Sequence, residues 1–363
     1  MFQSVTRLLG LNLTPGKFRG LQRISNPNGT LTMVALDQNS SMISMIKESL
    51  KAKGESREPT YSEVVEAKVT LARALAPYAS GLLIDAYYGA WNALASGSIP
   101  AKTGLLIRVE KSGGKKNARG GTLGAVEPGW SVQKIKRMGA DAVKLLAQFE
   151  PTEADSAEHQ FQLVQHVYRE CQKHDILMLL ECVGFPMDGE KKDSKSYLDR
   201  KPQTVIESAR QLSRFCDVYK AEFPGTLGRE SDKELEDNIK ALDRASERPW
   251  VLLSAGVDFP DYKKQVEMAM SLGASGVLGG RAFWKEFFQQ DGQAGREKFA
   301  KEEAAKRVQQ VHELVLKATP WYSRYGLKPE DFEQMRAAEY WHYRYEGEAA
   351  GGGPSAAVEG DVY

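Results

Sequence analysis

Residues 139–146 read GADAVKLL, a glycine followed by a short apolar run that contains one lysine. The glycine is typical of a helix end, and the run is typical of a parallel strand that is covered on both faces. The same unit of apolar run, polar loop and amphipathic stretch recurs from about residue 30 to residue 285. We therefore predict eight strands, at Leu31–Asp37, Gly81–Asp85, Gly104–Val109, Ala140–Leu146, Asp175–Glu181, Asp217–Glu222, Trp250–Ser254 and Ser275–Gly279.

The stretches between these runs have helical periodicity. A capping box, Ser231-x-x-Glu234, opens one of them, and Gly273 closes another just before an apolar run. Alternating strands and helices indicate either a doubly wound sheet or a (β/α)₈ TIM barrel. Eight such units, with no GxGxxG sequence after the first strand, favour an α/β protein built as the barrel.

The rest of the chain is predicted to extend this single domain. Residues 1–29 are interpreted as an N-terminal extension, residues 30–345 as the barrel with additional C-terminal helices, and residues 346–363 as a disordered tail with too little apolar content to pack. A helix is expected at Arg296–Lys317. The aromatic-rich segment from Pro329 to Tyr345 is expected to pack on the barrel or against another subunit.

The charge balance restricts the class of partner. The 363 residues include 49 Lys+Arg and 48 Asp+Glu, so no overall field would attract nucleic acid or an anionic membrane. No apolar run approaches the roughly 18 residues of a membrane span. The three cysteines lack CxxC spacing, which is typical of a protein of the reducing cytoplasm. The five histidines show neither HExxH nor HxH spacing, so a zinc-dependent carbon–carbon lyase is disfavoured.

Polar residues end most of the apolar runs, where the chemistry of such barrels lies. Two are lysines within apolar sequence, Lys144 and Lys220, on the fourth and sixth predicted strands. Alternate strands can direct both amines into one region, where either could act as a nucleophile and a nearby carboxylate could move protons. Schiff-base chemistry is the resulting hypothesis, and two salt-bridged structural lysines are the alternative. The other polar strand ends are Asp37-Gln38, Asp85, Arg108 with Glu110-Lys111, Glu181 and Glu222.

The seventh and eighth strands indicate an anion site. The segments Ser254–Val257 (SAGV) and Gly279–Trp284 (GGRAFW) combine small residues with Arg281, and glycines let the backbone approach a phosphate. Tight turns without a ligand are the alternative interpretation. The segment Lys111–Gly121, KSGGKKNARGG, is either a basic lid over an anionic substrate or a solvated loop.

Seven segments together resemble the class I tagatose-1,6-bisphosphate aldolase family, which includes the related 6-deoxy-6-sulfofructose-1-phosphate aldolase. They are VALDQ (Val34–Gln38), LAPYASGLLID (Leu75–Asp85), GADAVKLL (Gly139–Leu146), LLE (Leu179–Glu181), DVYKAEFP (Asp217–Pro224), PWVLLSAGVD (Pro249–Asp258) and GASGVLGGRAFW (Gly273–Trp284). The resemblance implies a (β/α)₈ barrel and a retro-aldol reaction that needs no metal and no other cofactor.

The resemblance also implies roles for individual residues. Lys220 matches the Schiff-base lysine, Lys144 the neighbouring cation, Glu181 the proton shuttle, and Asp37-Gln38 the contacts to substrate hydroxyls. We assign Lys220, Glu181, Lys144 and Asp37 as catalytic. Substrate-binding residues are predicted to be Gln38, Asp85, Ser254, Gly256, Gly279, Gly280 and Arg281, the last five at the phosphate.

Several functions remain open at this point. The main hypothesis is a cytoplasmic, homo-oligomeric aldolase that cleaves a small ketose phosphate to dihydroxyacetone phosphate and an aldehyde such as glyceraldehyde 3-phosphate, with no nucleic-acid or membrane partner. A sulfonated ketose phosphate, giving sulfolactaldehyde, is the alternative substrate. A sugar-phosphate-sensing regulator that keeps the barrel is a second class, and a scaffold that uses the aromatic C-terminal segment is a third.

Overall fold

The computed structural model describes residues 3–4, 8, 11–187 and 189–336. Its central feature is a closed barrel of eight parallel strands in chain order, with the eighth strand paired to the first. All eight predicted strands are present within one or two residues of their expected bounds. The strands are β1 Leu31–Leu36, β2 Gly81–Ile84, β3 Gly104–Arg108, β4 Ala142–Gln148, β5 Leu177–Val183, β6 Val218–Ala221, β7 Trp250–Leu253 and β8 Gly276–Gly279.

Helices follow the strands and cover the outside of the barrel. The Ser231–Glu234 capping box and the left-handed Gly273, with a φ of 109°, occur where the sequence predicts them. The α-helices are α1 Pro15–Ile24, α2 Ser40–Ala52, α3 Tyr61–Leu75, α4 Trp91–Ala95, α5 Val132–Arg137, α6 Ala154–Lys173, α7 Lys195–Leu212, α8 Asp232–Ala245, α9 Phe259–Ser271, α10 Arg281–Trp284, α11 Gly292–Phe299, α12 Ala305–Val315 and α13 Pro329–Gln334. Short 3₁₀ turns occupy Ala76–Tyr78, Ser213–Phe215, Lys285–Gln289 and Trp321–Tyr325, and single π turns occupy Ala86–Ala90 and Ala300–Ala304.

The barrel interior changes from apolar to polar along the strands. Inward-facing side chains near the amino ends, such as Leu31, Met33 and Val251, are buried together with Leu21 and Ile24 of α1. Helix α1 therefore closes the lower opening of the barrel, and the polar side chains are confined to the carboxyl ends. A larger apolar layer lies between the outer strand faces and the helices.

The C-terminal region is helical over most of the stretch expected at Arg296–Lys317. A π turn at Ala300–Ala304 lies between α11 and α12, and Val308, Val311 and Val315 are buried. Trp321 packs against Phe18 of α1 with ring centroids 5.9 Å apart, and Phe332, in the described part of the aromatic-rich segment, packs against the same ring at 5.8 Å. Residues 337–345 of that segment lie outside the described residues. The predicted tail, residues 346–363, lies outside the described residues, and the domain division stays a prediction.

The ends of the described chain meet below the barrel. Gln3–Ser4 pairs in parallel with Met335–Arg336. Above them, the buried Lys17 of α1 binds Asp217, at the start of β6, with a distance of 2.9 Å between Nζ and Oδ1. Both contacts lie on the side of the barrel opposite the polar strand ends.

Candidate active site

Three charged side chains meet inside the upper end of the barrel. Lys144 of β4, Glu181 of β5 and Lys220 of β6 each lie two residues beyond a buried inward-facing apolar residue of their own strand. The strand register places Glu181 opposite Lys220. Oε2 of Glu181 lies 2.9 Å from Nζ of Lys220 and 3.1 Å from Nζ of Lys144. The structure thus brings both sequence-predicted lysines to one carboxylate.

Lys144 is the more heavily paired of the two lysines. Its ammonium lies 2.8 Å from Oδ2 of Asp37 and 2.7 Å from Oε1 of Glu110, in addition to Glu181. Burial favours the neutral amine, but the three carboxylates outweigh it and raise the pKa of Lys144 well above its usual range. Lys144 is therefore held as a fixed cation.

Asp37 is the matching anion. Burial would raise the pKa of Asp37, but the positive charges of Lys144, Lys220 and Arg108 outweigh it and lower the pKa below the ordinary range of aspartate. The Arg108 guanidinium also donates to the backbone carbonyl of Asp37 at 2.8 Å. The negative charge of Asp37 is thus fixed by its neighbours.

The sequence-based site omits two residues that the structure places in it. Glu110 is buried, burial raises its pKa, and its Oε2 has no hydrogen-bond partner in the described part of the chain. Arg108 ends β3 and is in register with Lys144. Both belong to the run of polar residues that ends the third strand, and this run was the available sequence signal. The run alone does not show that the chain turns Glu110 toward Lys144.

Asp85 and Glu222 are not directed toward the lysine pair. Asp85 is fully buried, and its Oδ1 lies 2.6 Å from Nζ of Lys68. Glu222 accepts a hydrogen bond of 2.8 Å from the backbone N–H of Gly184, and burial raises the pKa of this carboxyl. The substrate contact predicted for Asp85 stays a prediction, and this geometry gives it no support.

The ends of β7 and β8 form the predicted glycine-rich corner. The Gly280 N–H donates to Oγ of Ser254 at 3.2 Å, and Gly256 has a φ of 81°. A Cβ on Gly256 would lie 3.0 Å from Cζ of Arg281, so glycine lets the guanidinium lie against the backbone. Within the described ranges no carboxylate forms an ion pair with Arg281.

Gln38 lies between this corner and the first strand, and Gly279 lies against Phe283. A Cβ on Gly280 would lie 3.0 Å from Nε2 of Gln38, whose Oε1 is buried and unpartnered within the described chain. A Cβ on Gly279 would instead approach the ring of Phe283 to 2.6 Å. The unpartnered amide oxygen of Gln38 is suited to accept from a hydroxyl group.

A cavity of about 630 Å³ opens beside these groups at the upper end of the barrel. Lys111 lies in its wall, whereas Lys115 and Lys116 of the same basic segment are exposed in a small hairpin with Thr122–Leu123. A larger cavity, about 920 Å³, lies below the barrel, and its lining contains no catalytic candidate. The lining of the upper cavity is Asn39, Ser40, Ile43, Ala86, Tyr87, Tyr88, Arg108, Glu110, Lys111, Ser112, Glu127, Pro128, Gly129 and Trp130.

The described part of the chain has neither a metal-binding cluster nor a membrane-spanning helix. No cluster of three or more His, Cys, Asp or Glu side chains there has a geometry that could hold a metal ion. No helix among the described residues is long and apolar enough to cross a membrane. The cysteines Cys171, Cys182 and Cys216 are buried and free.

Known proteins with the same sequence pattern are aldolases. The tagatose 1,6-diphosphate aldolase of Lactococcus lactis subsp. lactis is 30% identical over 329 residues, which cover 85% of this chain and 98% of that protein. The enzyme of the same name from Listeria monocytogenes serotype 4a (strain HCC23) is 30% identical over 352 residues, covering 91% and 99%.

Solved structures show the same fold. An archaeal fructose 1,6-bisphosphate aldolase superposes with a TM-score of 0.54 at 15% identity, covering 82% of this chain and 98% of the other. Fructose-bisphosphate aldolase from Plasmodium falciparum superposes with a TM-score of 0.63 at 13% identity, covering 84% and 94%. The predicted (β/α)₈ barrel is confirmed.

Residues 31–286, which contain every strand of the barrel and the whole lysine–carboxylate cluster, match the DeoC/LacD family aldolase. The prediction of a class I aldolase, made from the two lysines and the seven matching segments, is confirmed. The chain belongs to the DeoC/LacD family of aldolases.

Proposed function

We propose that this aldolase forms a Schiff base on Lys220 and cleaves a phosphorylated ketose of the tagatose 1,6-bisphosphate type to dihydroxyacetone phosphate and glyceraldehyde 3-phosphate. The observation that carries the proposal is one buried carboxylate, Glu181, within 3.1 Å of two lysine amines at the carboxyl end of the barrel. An amine, a fixed cation and a proton carrier are the three groups that imine chemistry on a ketone requires.

Lys220 is the better candidate for the nucleophile. Lys144 is surrounded by Asp37, Glu110 and Glu181, so losing its proton would leave buried carboxylates without a cation. In the described part of the chain, Lys220 forms an ion pair with Glu181 only. Lys220 therefore has the fewer charged partners, and its amine is the one that we assign to attack on the substrate carbonyl.

The reaction follows from these positions. The Lys220 amine adds to the ketone carbon, water leaves, and the resulting iminium accepts the electron pair of the adjacent carbon–carbon bond as that bond breaks. The hydroxyl proton of the departing aldehyde passes to a base, for which Glu181 is the nearest carboxylate. Return of a proton to the enamine carbon and hydrolysis of the imine release dihydroxyacetone phosphate. The Lys144 cation favours negative charge that develops on substrate oxygens.

The two ends of the cleft suit the two ends of such a substrate. Arg281 and the Ser254–Gly256 turn would bind the phosphate of the dihydroxyacetone half. Lys111 lies in the wall of the upper cavity, where the aldehyde half would extend. Buried unpartnered oxygens of Gln38 and Asn39 are complementary to hydroxyl donors. The named relatives act, by their names, on tagatose 1,6-diphosphate, so neither the sulfonated ketose nor the regulator is favoured.

The direct test is cleavage of tagatose 1,6-bisphosphate by protein that has been treated exhaustively with EDTA. We expect full turnover, measured as dihydroxyacetone phosphate formed, because the iminium rather than a metal accepts the electrons. A panel of ketose phosphates and a sulfonated analogue would rank the substrates. Loss of turnover on chelation, with recovery on adding one divalent metal, would refute the Schiff-base proposal.

Arg281 provides a second test, at the phosphate. Arg281→Ala should raise KM by about one to two orders of magnitude, since a charge-assisted hydrogen bond contributes roughly 1.5–3 kcal/mol. Borohydride labelling of Lys220 at saturating substrate should persist. The measurement is KM at constant ionic strength, and Lys264→Ala, an exposed cation on α9, is the control. An unchanged KM in Arg281→Ala would place the phosphate elsewhere.

We further propose that the protein works in the cytoplasm as a homo-oligomer, with no membrane or nucleic-acid partner. The balanced charge and the three free cysteines support this setting. Sedimentation of the full chain at several concentrations would measure the number of subunits.

A further inference from the structure

Lys68 is a fully buried lysine on the core-facing side of α3. It follows Val64 by one helical turn and is followed by Leu71 and Leu75 on the same buried face. Lysine is almost never fully buried unless its charge is paired. Burial lowers the pKa of Lys68, and the negative charge of Asp85 opposes that change. The reaction described above does not use this amine, so its contacts need another explanation.

The contacts of Lys68 surround the peptide that carries Asp37. Nζ of Lys68 donates to the carbonyl of Leu36 at 2.5 Å and to the carbonyl of Gln38 at 3.3 Å. These carbonyls belong to the residues immediately before and after Asp37. One ammonium therefore holds the backbone on both sides of the carboxylate that binds Lys144.

Asp85 extends the contact to a second wall of the cavity. Its Oδ1 pairs with Lys68 at 2.6 Å, and its Oδ2 accepts from the Tyr88 N–H at 2.8 Å and from Nδ2 of Asn39 at 3.3 Å. Tyr88 belongs to the π turn Ala86–Ala90 that lines the upper cavity. The Lys68–Asp85 pair thus connects the end of β1 with the turn that follows β2.

From these contacts we infer that Lys68 is a positioning residue, which holds Asp37 and Gln38 in the geometry that catalysis requires. The inference rests on the proposed Schiff-base function. It also gives Asp85 a role, as the anion that keeps Lys68 charged and oriented. This role replaces the substrate contact expected from the sequence. Misplacement of a reacting group by about 1 Å costs on the order of a hundredfold in rate, so a loosened Asp37 peptide should reduce kcat.

A second buried lysine–aspartate pair, Lys17 with Asp217, offers a matched comparison for Lys68 and Asp85. Lys17 of α1 is as deeply buried as Lys68, and its Nζ lies 2.9 Å from Oδ1 of Asp217. Asp217 also accepts a hydrogen bond from a strand N–H, that of Met178, at 2.8 Å. The two lysines therefore resemble each other in burial and pairing, but Lys17 lies at the opposite end of the barrel.

The test compares Lys68→Met with Lys17→Met in the full chain, by thermal unfolding and by steady-state kinetics below both Tm values. Both variants should unfold at a lower temperature, because each leaves a buried aspartate unpaired. Lys68→Met should lower kcat roughly 10- to 100-fold, whereas KM should change by no more than about threefold, because Gln38 is one of several substrate contacts and Lys68 does not touch Arg281. Lys17→Met should keep kcat and KM within about twofold of the wild-type values.

A kcat of Lys68→Met within about twofold of the wild type, or no lower than that of Lys17→Met, overturns the positioning role. If Lys68→Met fails to fold, Asp85→Asn takes its place, because the amide keeps the shape but removes the charge. It should lower kcat at least about threefold without raising KM, and an unchanged kcat overturns the inference. Absence of turnover and borohydride label in the wild-type protein would contradict the proposed function instead.

Discussion

Replacing Lys220 with alanine should abolish both turnover and covalent labelling by borohydride in the presence of substrate. Lys220 is the lysine that we assign as the nucleophile, since three carboxylates hold Lys144 as a cation. Without the Lys220 amine, the iminium that accepts the electrons of the breaking bond cannot form. Peptide mass mapping of the wild-type protein should find the dihydroxyacetone phosphate adduct on the peptide that contains Lys220.

Glu181→Gln is the matched comparison, because it keeps the size of the side chain and removes its role as a base. This variant should still form the imine, but turnover should fall by about two to four orders of magnitude as proton transfer stalls, so the trapped adduct accumulates. Recovery of the label on Lys144, or full labelling of Lys220→Ala, would mean that the two amines have the opposite roles.

Replacing Lys144 with methionine should have the largest effect on stability. The change removes the one cation that Asp37, Glu110 and Glu181 share, and breaking a buried ion pair from one side costs about 3–5 kcal/mol. The free energy of unfolding from urea titration at neutral pH should fall by about that amount. A loss below about 1 kcal/mol would mean that the carboxylates find another partner or water.

The loss of unfolding free energy in Lys144→Met should depend on pH in a definite direction. In the wild-type protein the positive charges lower the pKa of Asp37 on folding, so this pair stabilises the fold above the ordinary aspartate pKa and the contribution declines as pH falls through the folded value. In Lys144→Met, Glu110 loses the nearest positive charge that opposes the effect of its burial, so its folded pKa should rise further above the unfolded one. The variant should therefore gain stability as pH falls from 7 toward 5, and Lys144→Met combined with Glu110→Gln should gain less.

The sequence predicted the strands well because each is a short apolar run between polar segments, and a closed parallel barrel needs eight such runs. It also predicted that Lys144 and Lys220 could meet, because alternate strands of a barrel can direct their side chains into one region. The long helix at Arg296–Lys317 was only partly correct, since a π turn inserts one extra residue without changing the apolar pattern.

The rest of the site depends on contacts that no local pattern encodes. Glu110 reaches Lys144 only after the chain leaves β3, and nothing in its neighbours fixes that direction. Lys68 lies on the apolar face of its helix, between Val64 and Leu71. A lysine at such a position was the available sequence signal that this side chain is buried and paired. Its partners Leu36 and Asp85 come from two other segments, so tertiary structure alone identifies them.

The pairing of Gln3–Ser4 with Met335–Arg336 below the barrel has a practical consequence for rewiring the polypeptide. Because Gln3–Ser4 lies beside Met335–Arg336, a short linker can connect these two segments, and new ends can be opened in an exposed loop such as the one around Gly54. By the same geometry, a surface tether or fused reporter attached at the lower face would leave the mouth of the barrel free for the incoming sugar.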